Sequence, residues 1–118
     1  MNQERLIADA KALALAAVPG FVPRTASAEI EAGGDAVYAL LRMGAWLARQ
    51  GEYISDHDLF IAEKLAGILS GGRLTGRQTV SEQHLLDLER EAFLSLCGTA
   101  KTQARMAHLL KTGKPLRN

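Results

Sequence analysis

Disulfide bonds are the first feature that this sequence of 118 residues excludes, because it contains a single cysteine, Cys97. A lone cysteine cannot close a bridge within one chain, which fits a reducing compartment. The sequence also lacks any run near the roughly 18 apolar residues of a membrane-spanning helix. Its charged start, MNQERL, has no apolar region of a signal peptide. We therefore expect a cytoplasmic protein without a membrane span.

The sequence also lacks a large net positive charge and has few aromatic residues. The formal net charge is +1, and aromatic residues make up 5% of the chain. Clustered positive charge holds double-stranded nucleic acid, and stacking on aromatic side chains holds single strands. We expect no nucleic-acid partner.

What the sequence does contain is helical periodicity, because apolar residues recur at the three- and four-residue spacing of amphipathic helices. Caps and stop signals then give limits for five helices. The predicted limits, in chain order, are Asn2 or Gln3 to Val18 before Pro19-Gly20; Asp35 to Gln50; a helix opened by the S-x-x-D capping box of Ser55 and Asp58 and stopped by Gly71-Gly72; a helix opened by the T-x-x-E capping box of Thr79 and Glu82 and closed at Gly98; and a last helix capped by Thr99 before the tail KPLRN.

The connections between these helices carry little pattern. The stretch AEIEA, within residues 28–32, has the composition of a short exposed strand but is too short to predict as one, and RLTGRQTV reads as irregular. No repeat or low-complexity linker divides the chain. The sequence predicts an all-α fold in which about five amphipathic helices form a small bundle or an open helical array, with residues 1–118 as a single helical domain.

Residues for catalysis or metal binding are not predicted. His57, His84 and His108 fall on three different helices without a metal-ligand spacing. Cys97 lies at a helix C-terminus, where the helix dipole disfavours a thiolate. The glycine doublets match neither a dinucleotide fingerprint nor a P-loop.

Three positions in the predicted helices depart from a simple apolar stripe. Glu89 falls among Leu85, Leu88, Ala92 and Leu96 on one helix face. A buried carboxylate needs a partner, so we favour an ion pair with Arg105 or Arg42, with contact to protein outside this chain as the alternative. Leu94 lies on the polar side and should be exposed. Gly44 lies within an apolar arc and suggests a close helix crossing.

The last helix has two distinct faces. Lys101, Arg105, His108 and Thr112 lie on one side, and Met106, Leu109 and Leu110 lie on the other. The basic side is either solvated, as is usual near a helix C-terminus, or contacts phosphate.

The C-terminal third, LLDLEREAFLSLCGTAKTQARMAHLLKTGKPLRN, resembles the extreme C-terminus of bacterial multifunctional fatty-acid β-oxidation proteins. These join a 3-hydroxyacyl-CoA dehydrogenase to an enoyl-CoA hydratase (crotonase-type) module, which comes last in the subgroup concerned. YISDHDLFIAEKLAGILSGG and RLIADAKALALAA are similar to the same subgroup.

Two motifs resemble the wider crotonase superfamily. Glu89 and Phe93 match its E-x-x-x-F pattern, and Ala107 and Lys111 match its terminal A-F-x-x-K pattern, with His108 in place of the phenylalanine. The resemblance implies that Lys111 contacts coenzyme A phosphates. The family's oxyanion hole, acid/base glutamates and dinucleotide fold have no counterpart here.

The implied protein is a C-terminal fragment that is inactive alone and holds no cofactor of its own. The parent enzyme would use NAD and a CoA thioester. The implied partners are the upstream hydratase and dehydrogenase domains and further copies of the chain in a homo-oligomer. The alternative is a free-standing helical protein–protein interaction module, which the complete set of helix caps favours.

Overall fold

The computed structural model describes residues 5–23, 25 and 29–118. Within them the chain forms five α-helices and one two-stranded sheet, so the predicted all-α class is confirmed. In chain order the elements are α1 (Leu6–Ala17), a 3-10 turn (Val18–Gly20), β1 (Ile30–Ala32), α2 (Gly34–Gln50), α3 (Asp56–Leu69), β2 (Gln78–Val80), α4 (Glu82–Cys97) and α5 (Ala100–Thr112). The start predicted for the first helix, Asn2 or Gln3, lies outside the described residues.

Two of the three side-chain caps predicted at helix N-termini are confirmed. Ser55 and Asp58 form the reciprocal capping box at the start of α3, and the Thr99 hydroxyl accepts the backbone N–H of Thr102 at the start of α5. The T-x-x-E box is wrong, because Thr79 lies in β2 and the Ser81 hydroxyl caps α4 instead. Thr79 and Ser81 are both favourable cap residues, and the strand pairing of Thr79 decides between them.

The two short strands correct the interpretation of the connections. β1 and β2 pair antiparallel, with Ile30 opposite Val80. The residues before β2 also reach the start of α2, where the N–H groups of Gly34 and Asp35 donate to the carbonyls of Ser70 and Leu74, each at 2.9 Å. Three-residue strands are too short for a periodic signal, and this pair is fixed by contacts between distant residues.

Gly34 is required at the junction between β1 and α2. Its φ is +63°, and an added Cβ would lie 2.3 Å from the carbonyl oxygen of Gly76. Both the left-handed backbone and the close approach exclude a side chain.

α2 and α3 form an antiparallel pair joined by charges. Arg42 binds Glu63 with a 2.7 Å N–O distance, and Arg49 binds Asp56 nearer the connection between the two helices. The predicted close crossing at Gly44 is wrong, because a Cβ at Gly44 would have no atom within 4 Å. The face of α2 that carries Gly44 lies in solvent.

Among the described residues the buried apolar core consists of three alanines, Ala32, Ala66 and Ala92. The radius of gyration is 19.4 Å, compared with about 13.5 Å for a compact domain of this length. Of the two arrangements that the sequence left open, the structure therefore has the open helical array. No helix in the described residues has the length and apolarity needed to cross a membrane.

Candidate functional site

Two grooves run along the packed helices α3 and α4. The first, which we call the charged groove, has a volume of about 740 Å³ and lies between α2, α3, α4 and the loop after α3. The second, which we call the apolar groove, has a volume of about 470 Å³ and lies between α3 and α4 alone. Lys64 borders both grooves.

The charged groove carries both signs of charge. Its lining includes Asp35, Glu63 and Glu91 together with Lys64 and Arg73. Glu63 is already bound to an arginine of α2, and the Lys64 ammonium lies 5.5 Å from the centre of the Phe60 ring. A groove with this mixture has no net preference for an anion or a cation.

The apolar groove holds Glu89 at its rim. Its apolar lining residues are Leu65, Ile68, Leu86, Ala92, Phe93 and Leu96, and its charged lining residues are Lys64 on α3 and Glu89 and Arg90 on α4. Glu89 and Phe93, one helical turn apart, therefore face the same groove. The Glu89 side chain is exposed.

The predicted ion pair of Glu89 is wrong. Arg105 binds Asp58 at 2.6 Å, and Arg42 binds Glu63, so both candidate arginines are bound to other carboxylates. Within the described part of the chain, Glu89 forms neither an ion pair nor a side-chain hydrogen bond. The alternative, a partner outside this chain, stays open.

Arg105 is the centre of a polar cluster that joins α5 to the start of α3. Its Nη1 donates to Asp58 Oδ1 at 2.6 Å, its Nη2 to Ser55 Oγ at 3.3 Å, and its Nε to Asn118 Oδ1 at 2.8 Å. The Ser55 backbone N–H and then the Arg105 guanidinium lower the pKa of Asp58 to about 2. The Ser55–Asp58 box can be read from neighbouring residues, whereas the arginine is 47 residues away from Asp58 and leaves no local signal in the sequence.

His57 makes a second contact between the same two helices. Its Nε2 lies 2.9 Å from the Thr102 hydroxyl oxygen, and the side chain is buried. Burial lowers the pKa of His57, and the nearby charges of Arg105 and Lys101 lower it further. The imidazole is therefore favoured in its neutral form and serves as a hydrogen-bonding contact.

These contacts reverse the expected orientation of α5. Thr102 and Arg105, from the polar side, face α3, whereas Met106, Leu109 and Leu110 are exposed by 38%, 52% and 88%. Neither sequence-based alternative for the basic face holds for Arg105, because its guanidinium is bound within the protein.

Leu94 is exposed on the polar side of α4, as the sequence predicted. Its exposed fraction is 64%, which confirms that prediction.

Lys111 lies in the last turn of α5 and is exposed. The turn ends at Gly113 in the left-handed conformation, whose N–H donates to the Leu109 carbonyl. Among the described residues Lys111, Lys114 and Arg117 form no ion pair. A helix C-terminus offers carbonyls rather than N–H donors, so a phosphate here would be held by these side chains alone.

Metal and nucleophile chemistry has little support in the residues that the structure describes. They contain no cluster of three histidine, cysteine or acidic side chains that could hold a metal ion. His84, from α4, bonds through Nε2 to the Gly71 carbonyl at 2.9 Å, on a different helix from His57. Cys97 is a half-buried free thiol.

The comparison with known proteins gives one informative match. A protein of Bacillus subtilis (strain 168) named "Probable 3-hydroxyacyl-CoA dehydrogenase" is 45% identical over 118 residues, which is the whole of this chain and 15% of that protein. The chain thus spans about 15% of the length of the curated relative that it matches. No protein-family model matches the sequence, and no solved structure matches it.

Proposed function

We propose that this chain is the C-terminal helical region of a cytoplasmic fatty-acid β-oxidation enzyme that combines 3-hydroxyacyl-CoA dehydrogenase and enoyl-CoA hydratase activities. The observation that carries the proposal is the 45% identity along the whole chain to a much longer protein named as a 3-hydroxyacyl-CoA dehydrogenase. The free thiol of Cys97 fits a reducing compartment.

The parent enzyme would hydrate a trans-2-enoyl-CoA and then oxidise the resulting 3-hydroxyacyl-CoA with NAD. The helical region would contribute packing and assembly to that enzyme and would have no turnover of its own. Acyl-CoA chemistry of this kind depends on positioned donors for a developing oxyanion. In the described residues, the backbone N–H groups at the start of α2 instead bind the carbonyls of Ser70 and Leu74.

The packing role is supported by the exposed area of the molecule. The chain exposes 9351 Å², whereas a compact monomer of its mass exposes about 6,200 Å². The surplus of roughly 3,000 Å² exceeds the area that each partner buries in a standard protein interface. A helical layer that normally packs against other domains would have this surplus.

Two measurements test the assignment. In an assay of the 118-residue chain for crotonyl-CoA hydration and NAD-dependent 3-hydroxybutyryl-CoA oxidation, we expect no turnover. Measurable turnover that one carboxylate substitution abolishes would overturn the inactive role. Sequencing the coding region upstream of Met1 tests the domain organisation, because a hydratase core in frame is expected there.

Lys111 is proposed to contact the phosphates of coenzyme A. Its exposed ammonium, with Lys114 and Arg117 close in sequence, is the support for this role. In a calorimetric titration with coenzyme A, Lys111→Ala should weaken binding about three- to tenfold, as expected for one exposed charge contact. Lys101→Ala, which removes an exposed lysine from the first turn of α5, is the matched control. Equal affinities for the wild type and Lys111→Ala would remove the cofactor role.

The alternative function is a free-standing helical interaction module. The side-chain caps on α3, α4 and α5 favour it, because they help these three helices to form locally. The expected complete set of caps is wrong, because α1 and α2 have no side-chain cap. Light scattering separates the two functions in part. A stable monomer that binds no apolar dye favours the interaction module. A dimer or larger assembly favours the C-terminal region of a larger enzyme, whose packing surfaces are left exposed.

A further inference from the structure

We propose that two copies of this chain form a dimer by exchange, in which α1 of each copy lies in the apolar groove of the other. This inference rests on the assembly role proposed above and names the surfaces involved. The dimer brings together an unpartnered helix and an unpartnered groove that the same chain carries.

α1 is the unpartnered helix. Every described residue from 5 to 25 is exposed, and Ile7 and Leu13 are exposed by 84% and 73%. At 100° per residue, an apolar face centred on Ala10 includes Leu6, Ile7 and Leu13. An isolated helix of this length is marginal in water, so α1 needs a surface on which to pack.

The apolar groove has a suitable composition for that helix and matches most of its length along α4. The 12 residues of α1 span about 18 Å, and the stretches that line the groove, 64–68 on α3 and 86–96 on α4, span about 7.5 and 16.5 Å. Leu65, Leu86 and Phe93 in its walls are exposed by 50%, 46% and 57%. Docking would therefore remove apolar surface from water on both sides of the contact.

The charges on the two surfaces are complementary. Asp9 and Lys11 flank the apolar face of α1 on opposite sides, and Lys64 and Glu89 lie on opposite rims of the groove. With α1 oriented so that Lys11 lies beside Glu89, Asp9 lies on the side of Lys64. Within the described residues neither Lys11 nor Glu89 has an ion-pair partner, whereas the neighbouring Arg90 is bound to an aspartate of its own helix at 2.9 Å.

The exposed area is large enough for a second copy to be the occupant. The chain has roughly 3,000 Å² more exposed surface than a compact monomer of its mass, and a standard interface needs about 800 Å² per partner. In the exchanged dimer, both α1 helices and both apolar grooves are occupied, and the two copies are related by two-fold symmetry. No groove is therefore left free for further copies.

The test uses two charge reversals in the full chain. Lys11→Glu and Glu89→Lys each place like charges at both contacts of a dimer, and each should raise the dimer dissociation constant about tenfold or more. In an equimolar mixture of the two variants, the mixed dimer has one native contact and one reversed contact of opposite charges. Sedimentation equilibrium and native mass spectrometry should then find the mixed dimer with a dissociation constant within about threefold of the wild type.

Glu91→Lys is the matched control. It makes the same charge change on α4, but Glu91 lines the charged groove. This variant should dimerise like the wild type and should not rescue Lys11→Glu. Circular dichroism of each variant checks that its helices are retained.

The proposal is overturned by a wild-type chain that stays monomeric at all concentrations, by single reversals that dimerise like the wild type, or by a mixture that shows no rescue. The exchange is also rejected if the chain is monomeric and its folding stability recovers only when Lys11→Glu and Glu89→Lys are combined in one chain. That result would indicate that α1 docks in its own groove. A wild-type chain that stays monomeric would also count against the assembly role, whereas the other results concern the exchange alone. The coding region upstream of Met1 tests the assignment to the parent enzyme independently of all of them.

Discussion

At the residue scale, Arg105 joins three separate parts of the described chain. Its guanidinium joins Asp58, Ser55 and Asn118, so one side chain holds α5, the start of α3 and the C-terminal tail together. The Arg105 and Asp58 side chains are 21% and 28% exposed. This shielding makes the pair stronger than the exposed pairs elsewhere on the surface.

Replacing Arg105 should therefore destabilise the protein. We expect Arg105→Ala to lower the free energy of unfolding by about 2 kcal/mol, because Asp58 keeps its charge in a half-buried site without its cation. Arg105→Lys should recover less than half of the loss, since an ammonium lacks the planar fork that reaches several acceptors. Urea unfolding at one fixed protein concentration measures both effects.

Arg90→Ala is the control for that experiment. Arg90 binds Asp87 at 2.9 Å on the exposed side of α4. Its removal should cost at most about 0.5 kcal/mol. If the two alanine variants lose the same free energy, Arg105 does not have the structural role described.

His57 should make the contact between α3 and α5 sensitive to acid. Burial lowers the pKa of His57 below its ordinary value of 6.5, so the unfolded chain binds a proton that the folded chain does not. The stability from neutral His57 is complete above pH 6.5 and falls as the pH is lowered towards the folded-state pKa. His57→Gln should remove this part of the loss, which urea unfolding at about pH 7.5 and about pH 5.5 would measure.

The charged groups around His57 also influence its pKa and therefore the outcome of that experiment. Arg105 and Lys101 of α5 disfavour a proton on His57, and Asp58 of α3 favours one. Asp58 itself has a pKa of about 2, outside the range tested. An unchanged difference between the two pH values in His57→Gln would show that another group causes the acid sensitivity.

At the element scale, the helices form where the local sequence signals predict them. The faces that α2 and α5 bury, however, differ from those that the sequence predicts. α5 packs its polar side on α3 because Arg105 and Thr102 find partners there. α2 leaves Leu40, Met43 and Leu47 in solvent, exposed by 63%, 55% and 56%. These outward apolar faces are further surfaces that the described chain leaves uncovered.

Gly44 gives a direct test of the exposed face of α2. A methyl group at this position meets no atom within 4 Å, and the residue lies within a helix. Gly44→Ala should therefore raise the free energy of unfolding by up to about 1 kcal/mol, because alanine loses less backbone entropy than glycine in a helix. Thermal unfolding followed by circular dichroism measures the change.

Gly113→Ala is the opposite control. Gly113 has φ of +69° at the end of α5, where an L side chain is strained. This substitution should lower the stability. A loss of stability in Gly44→Ala would support the close helix crossing that the sequence predicted.

At the scale of the whole molecule, the main feature is incomplete burial. The folded chain exposes 9351 Å², so it buries about half of the area of its unfolded form, compared with about two-thirds for a compact protein of this size. Self-association or packing against other domains would make up the difference.

This burial predicts a low dependence of stability on urea. At low protein concentration the urea m-value should be about three-quarters of that of a compact protein of equal length, because the m-value follows the area exposed on unfolding. At concentrations where the chain associates, the apparent stability should rise with protein concentration. An m-value of compact size that does not change with concentration would contradict the open array.

The sequence by itself determined the number of helices, their approximate limits and the caps at Ser55 and Thr99, because these depend on residues within one or two turns of each other. Its likeness to a protein named as a probable 3-hydroxyacyl-CoA dehydrogenase was also readable from contiguous residues.

Only the tertiary structure decided which faces are buried. The pairing of Thr79 in β2, the partners of Arg105 and Arg42, and the open space at Gly44 all depend on residues far away in the chain. Amphipathic periodicity shows that a helix has two faces. Which face turns inwards depends on what else packs against it, and in this chain the polar cluster around Arg105 draws the polar face of α5 inwards and leaves the apolar face in solvent.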